Sequence, residues 1–119
     1  MTPLLPGHTI GVLGGGQLGR MLTLEARRMG YRIVSWTDST HAAPADVADE
    51  VITDSFESAE ALERFLSESD VATVEFENIP RTLLEAIESR IRLAPSAKAV
   101  GICQHREREK GFLSQHGFP

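Results

Sequence analysis

The chain has 119 residues, a length that fits one domain built around a single hydrophobic core. Hydrophobic residues make up 41% and charged residues 24% of it, close to the averages for a globular domain. The formal net charge of −5 and the lack of a polybasic run argue against a general role in nucleic-acid or membrane-surface binding.

The N-terminal residues lack the charged start and the long apolar core of a signal peptide. No apolar run approaches the ~20 residues of a membrane span. A single cysteine, Cys103, excludes an internal disulfide, and no cysteine and histidine spacing resembles a zinc site. We therefore expect a cytoplasmic protein.

Hydrophobic periodicity predicts strands that alternate with helices. In chain order it predicts a strand at 10–13, a helix at 17–29, strands at 31–37 and 50–53, a helix after Ser58, a strand at 70–76, a helix after Pro80, a strand at 91–95 and a helical region from Ser96 to about Gln115. Strand and helix alternate at least four times. We therefore expect an α/β fold, a doubly wound, Rossmann-like parallel sheet of about five strands.

The stretch VLGGGQLGR carries Gly14, Gly16 and Gly19 in G-x-G-x-x-G spacing, between a predicted strand and a predicted helix. Backbone N–H groups and the positive end of the helix dipole bind phosphates in such loops, so we expect an anion here rather than a merely tight turn. Asp38 lies 19 residues after Gly19. It either binds the ribose of an NAD cofactor or caps the next loop, and the pattern leaves both open.

A second polar stretch, TVEFENIP, follows the fourth predicted strand. Because side chains alternate along a strand, Glu75 and Glu77 are expected on the same side. In the usual doubly wound order this strand lies beside the first, at the crevice where open α/β sheets bind ligands. A phosphate site on one wall and acids on the other suit a ligand with a phosphate and an amine or hydroxyls. The alternative is that both glutamates are solvated strand-end residues.

Four segments carry a resemblance to a known family: IGVLGGGQLGRML, APADVADEVI, TVEFENIP and QHREREKGFLSQHGFP. In order and spacing they closely resemble the N-terminal domain of the 5-(carboxyamino)imidazole ribonucleotide synthases, members of the ATP-grasp superfamily. The resemblance runs from about Ile10 to Pro119. The related formate-dependent glycinamide ribonucleotide transformylases are similar but have an acid where Gln17 stands.

The resemblance implies an ATP-dependent ligase of purine biosynthesis. In this family ATP and bicarbonate form carboxyphosphate, which carboxylates the exocyclic amine of 5-aminoimidazole ribonucleotide with the assistance of Mg²⁺. It implies that the substrate-binding residues are Gly16, Gln17, Leu18, Glu75 and Asn78, and that Arg106 contacts the ATP phosphates. From the helical pattern alone, Arg106 and Lys110 would be a solvated face. The roles of Asp38, Glu77 and Lys110 stay open.

The family also predicts the domain organisation. Residues 1–119 correspond to its single N-terminal, pre-ATP-grasp domain, and the ATP-grasp and C-terminal domains are expected to lie outside the chain. Those domains supply the nucleotide cleft and the acids for Mg²⁺, so no catalytic residue and no metal ligand is expected here. The full-length protein is expected to be a homodimer, and this chain alone inactive. The alternatives are an NAD-binding domain of an oxidoreductase, a related ATP-grasp enzyme such as a formate-dependent glycinamide ribonucleotide transformylase, and a non-catalytic nucleotide-sensing module.

Overall fold

The computed structural model describes residues 2–119, and its elements alternate as the sequence predicts. The strands are β1 (Thr9–Leu13), β2 (Arg32–Thr37), β3 (Glu50–Thr53), β4 (Val71–Val74) and β5 (Arg92–Leu93). The helices are α1 (Gln17–Arg28), α2 (Ala59–Glu68), α3 (Arg81–Glu88), α4 (Ala97–Cys103) and α5 (Arg106–Gln115). The α/β class is confirmed.

The sheet has five parallel strands in the order β3-β2-β1-β4-β5. Strand order reverses at β1, so the predicted doubly wound topology and the predicted neighbourhood of the first and fourth strands are confirmed. In register, Leu13 at the end of β1 lies between Trp36 of β2 and Val74 of β4. The loops that follow these strands therefore emerge side by side at the carboxyl edge of the sheet.

The core lies between one face of the sheet and helices α2, α3 and α4. Trp36 and Phe65 are fully buried, with ring centroids 5.5 Å apart, and Leu84 and Ile87 of α3 are buried in the same cluster. Complete burial of such a side chain contributes about 2–3 kcal/mol. This layer holds the carboxyl ends of β1, β2 and β4 in fixed positions.

Helix α1 packs on the sheet differently. It begins at Gln17 and ends before Met29, and Gly30 follows with a φ of +95°, as its spacing predicts. It buries only Gly19 and Thr23. The apolar residues that define its periodicity are largely exposed: Leu18 (66%), Met21 (63%), Leu22 (42%) and Met29 (58%). Together with β1, β4 and β5 the helix lines a mainly apolar groove of about 570 Å³.

The C-terminal part differs from its prediction in two ways. Strand β5 is only two residues long, and the last helical region is broken into α4 and α5. The break lies at His105, which is extended with φ −130° and ψ 123°. Helix α5 buries none of its residues, so no core packing favours a single continuous helix with α4. None of the helices within residues 2–119 has the length and apolar character needed to cross a bilayer.

Candidate functional site

Two loops meet at the carboxyl edge of the sheet, where strand order reverses. The glycine loop follows β1, and Gly14 N–H donates to the Trp36 carbonyl over 2.8 Å. The segment after β4 continues the strand pairing by one residue, because Glu75 N–H donates to the Leu13 carbonyl over 2.8 Å. The crevice inferred from the sequence is thus formed by these two loops.

Glu75 lies directly on the glycine loop. The backbone N–H of Gly16, which precedes the first residue of α1, donates to Glu75 Oε2 over 2.8 Å. A Cβ at Gly14 would lie 2.6 Å from Glu75 Oε2, and one at Gly16 would lie 2.5 Å from Oε1. Gly14 also has a φ of +119°, a conformation that favours glycine. The spacing of these glycines therefore allows a carboxylate of the same chain to approach the backbone.

This contact changes the expected arrangement of the crevice. The anion at the N-terminus of α1 is the chain's own Glu75, so the glycine wall and the acidic wall touch instead of facing each other across a gap. A phosphate at the Gly16 amide would meet the negative charge of this carboxylate. A carboxylate that accepts one hydrogen bond retains free lone pairs. Glu75 can therefore receive hydrogen bonds from ligand hydroxyls or amines.

A cleft of about 230 Å³ opens beside this contact. Glu75 and Glu77 both line it, as do the buried Val100 and the exposed Cys103 of α4. The two acids thus share a cleft, but Val74 and Phe76 line it too, so the predicted placement of the acids on one side of the strand stays a prediction, and β4 already ends at Val74. Among residues 2–119 no group of three or more potential ligand side chains could hold a metal ion.

The remaining predicted site residues lie at the same edge, except one. Gln17 and Leu18 are exposed in the first turn of α1, and Asn78 is exposed in the segment after β4. Arg106 is exposed at the start of α5, which packs mainly on α4. No ion pair links Arg106 to another side chain within residues 2–119. The structure therefore groups the substrate-binding candidates at this edge and places Arg106 separately, on α5.

Two polar contacts at this edge were not predicted from the sequence. The side-chain Nε2 of Gln104 donates to the carbonyls of Glu77 (2.8 Å) and Ile79 (2.5 Å). A glutamine between two helices has no periodic signal that identifies such a role. Arg20 forms the second contact, donating to the Ala43 carbonyl over 3.1 Å and pairing with Asp46.

The connection between β2 and β3 is fastened to the glycine loop. Ala43 N–H donates to the Gly15 carbonyl over 2.8 Å, and Arg20 holds the same residue from the other side. The sequence predicts a loop here but not its docking. A dinucleotide would run from the helix N-terminus towards the end of β2. This connection and the Glu75 carboxylate both restrict that route.

Comparison with known proteins shows which family the chain matches. A family model described as the ribonucleotide synthetase preATP-grasp domain matches residues 7–104. An N5-carboxyaminoimidazole ribonucleotide synthase of Brucella melitensis is 39% identical over 117 residues, 98% of this chain and 32% of the relative. A crystal structure of an N5-carboxyaminoimidazole ribonucleotide synthetase with ADP superposes with a TM-score of 0.91 at 39% identity, covering 98% of this chain and 31% of that one.

A further solved structure contains two bound nucleotides. It is the N5-carboxyaminoimidazole synthase of Aspergillus clavatus in complex with ADP and 5-aminoimidazole ribonucleotide. It matches with a TM-score of 0.75 at 33% identity, covering 94% of this chain and 30% of that one. The chain thus spans about a third of the length of the curated relatives that it matches.

Proposed function

The chain belongs to the family of ribonucleotide synthetase preATP-grasp domains, and from this premise we propose that it binds the ribonucleotide substrate of an ATP-dependent ligase. The reaction is the carboxylation of 5-aminoimidazole ribonucleotide with bicarbonate, through carboxyphosphate, in purine biosynthesis. The hydrogen bond between Gly16 and Glu75 is the observation that carries this proposal. It presents a carboxylate of fixed position to a ligand that offers hydroxyls and an amine.

Each candidate residue has a role in the proposal. Glu75 accepts hydrogen bonds from the ribonucleotide, and Gly16 holds the carboxylate in place. Gln17 and Leu18 contact the same ligand from the exposed first turn of α1, and the Asn78 amide contacts it from the segment after β4. A charged acceptor forms stronger hydrogen bonds than a neutral one, so Glu75 is expected to contribute most to affinity.

Arg106 is proposed to contact the phosphates of ATP. Its guanidinium is exposed, carries a permanent charge and has no carboxylate partner in the described part of the chain, which leaves its donors free for phosphate oxygens. ATP supplies the phosphoryl group that activates bicarbonate. Residues 2–119 contain no cluster of acids that fits a Mg²⁺ site, so we propose that Mg²⁺ is held by ATP-grasp and C-terminal domains of a longer protein.

The assembly is also a proposal. The relatives are much longer than this chain, and the uncovered apolar face of α1 is of the kind that is buried against another domain or subunit. We propose that the complete ligase is a cytoplasmic homodimer and that this chain alone shows no turnover. Exposed apolar side chains are also present near the C-terminal helix, at Phe112 and Phe118.

Titration calorimetry of the purified chain with 5-aminoimidazole ribonucleotide and, separately, with NADH tests the proposal. We expect binding of the ribonucleotide and none of NADH. Glu75→Gln should weaken ribonucleotide binding about 10- to 100-fold, the loss of a hydrogen bond to a charged group. The exposed Glu57 lies outside the 230 Å³ cleft, so Glu57→Gln is the matched control and should keep the affinity of the parent chain. Binding of NADH without the ribonucleotide would overturn the proposal.

A further inference from the structure

The segment that carries the candidate acids, residues 75–79, has little backbone support. Glu75 N–H pairs with Leu13, but within residues 2–119 no backbone N–H of residues 76–79 donates to another backbone group. A segment without such hydrogen bonds depends on side-chain contacts for its conformation. The contacts that fix this segment therefore also fix the position of the Glu75 carboxylate.

Gln104 makes such a contact. A side-chain amide has two N–H donors, and both hydrogen bonds of Gln104 Nε2 end on this segment, at the carbonyls of Glu77 and Ile79. The backbone N–H of Gln104 donates to Val100 over 3.1 Å, and Val100 is only 4% exposed in the core. The amide thus extends from a firmly packed helix onto a segment that, after Glu75, lacks backbone hydrogen bonds of its own in the described part of the chain.

We propose that Gln104 is a positioning residue that holds residues 75–79 in place, so that the Glu75 carboxylate stays on the Gly16 amide. This inference deepens the proposed function. It rests on that function only for the claim that Glu75, once positioned, binds the ribonucleotide. Gln104 acts through Glu75 and does not itself touch the ligand.

A purely structural role for Gln104 predicts that its replacement unfolds the chain, whereas the proposed role predicts that the fold survives. Ile79 is 1% exposed, and Phe76 packs against the core, so both anchor the segment without help from Gln104. Removal of the amide donors leaves these anchors intact. The fold should therefore survive, while the carbonyls of Glu77 and Ile79 lose their partner and the Glu75 side chain becomes less well placed.

The first experiment measures the ligand-free chain. Hydrogen exchange by NMR reports the protection of the Gly16 amide, which the Glu75 carboxylate provides. In Gln104→Met this amide should exchange about tenfold faster, a difference of about 1.4 kcal/mol. The amide of Val12 in β1 should keep its rate. Gln115→Met, at the exposed end of α5, is the matched control and should change neither rate. An unchanged Gly16 rate in Gln104→Met would overturn the inference.

The second experiment measures affinity for 5-aminoimidazole ribonucleotide by calorimetry. Gln104→Met should bind about tenfold more weakly than the parent chain, and Gln115→Met equally well. Equal affinity of Gln104→Met would overturn the inference. If the parent chain does not bind the ribonucleotide, the proposed function fails, and the Gly16 exchange rate alone decides the role of Gln104. Gln104→Glu, which keeps the shape but cannot donate, should behave like Gln104→Met. Unfolding of both variants would overturn the inference by making Gln104 a residue of the core.

Discussion

Replacing Gly16 with alanine places a methyl group where the Glu75 carboxylate lies. An ideal Cβ at this position is 2.5 Å from Glu75 Oε1, well inside van der Waals contact. The backbone of Gly16, with φ −87° and ψ −170°, is accessible to alanine. The atom that the methyl group meets is the far end of a flexible side chain. We therefore expect the carboxylate to move and the backbone to stay.

Two costs set the magnitude. A hydrogen bond to a charged group contributes about 1.5–3 kcal/mol, but the half-buried Glu75 recovers part of this from water, leaving a loss of about 1 kcal/mol. Alanine is also less favourable than glycine before the first helical residue, by about 0.5 kcal/mol. Together these costs lower the free energy of unfolding by about 1.5 kcal/mol, which corresponds to about 6 °C in Tm for a domain of this size.

Thermal unfolding followed by circular dichroism measures this loss, and calorimetry with 5-aminoimidazole ribonucleotide measures the accompanying loss of affinity, expected to be at least about tenfold. Gly111→Ala is the control, because a Cβ there meets nothing within 4 Å and lies inside α5. That variant should be more stable by about 0.5–1 kcal/mol and bind normally. Unchanged Tm and unchanged affinity in Gly16→Ala would refute the reasoning about Glu75.

Two further predictions concern stability. Burial, followed by the hydrogen bond with Glu50, raises the pKa of Glu68 above its ordinary 4.5. This carboxyl therefore binds its proton more tightly in the folded chain than in the unfolded chain. Its contribution to the free energy of unfolding falls as the pH rises from 4.5 through the raised pKa of the folded chain. Glu68→Gln should therefore raise Tm by about 2 °C at pH 7 and leave it unchanged at pH 4. The effect is small because the Glu68 side chain is one-third exposed. An equal gain in Tm at both pH values would contradict the prediction. Ser58 Oγ accepts the Ala61 N–H, so Ser58→Ala should cost about 1 kcal/mol and lower Tm by about 4 °C, and no loss would show that this cap is dispensable.

The fold and the centre of the candidate site could be predicted because they follow from general rules. Alternating strands and helices produce a parallel sheet, and the preferred hand of the connections places the fourth strand beside the first. Glu75 therefore had to lie near Gly14 and Gly16. The sequence could not show that the acid lies on the Gly16 amide itself, because strand order fixes neighbouring loops but not side-chain contacts.

Other features depend on contacts that leave no pattern in the sequence. The hydrogen bonds of Gln104 join a side chain to two backbone carbonyls, which any sequence supplies. The exposure of the apolar face of α1 could not be predicted from the sequence for a different reason. Periodicity shows that a helix has an apolar face, but it does not show what covers that face. Leu18 and Met21 fit a helical pattern equally well whether they are buried or exposed.

The hydrogen bond between Gly16 and Glu75 joins residues that are 59 positions apart in the chain. The complete glycine signature lies in the loop after β1 and the first turn of α1, yet its acidic partner follows β4, three strands later in the chain. A peptide comprising β1, α1 and β2 would therefore contain the whole motif and only half of the site. Any piece of this chain that serves as a binding module must therefore extend at least through Asn78, and its assembly requires the long-range pairing of β1 with β4.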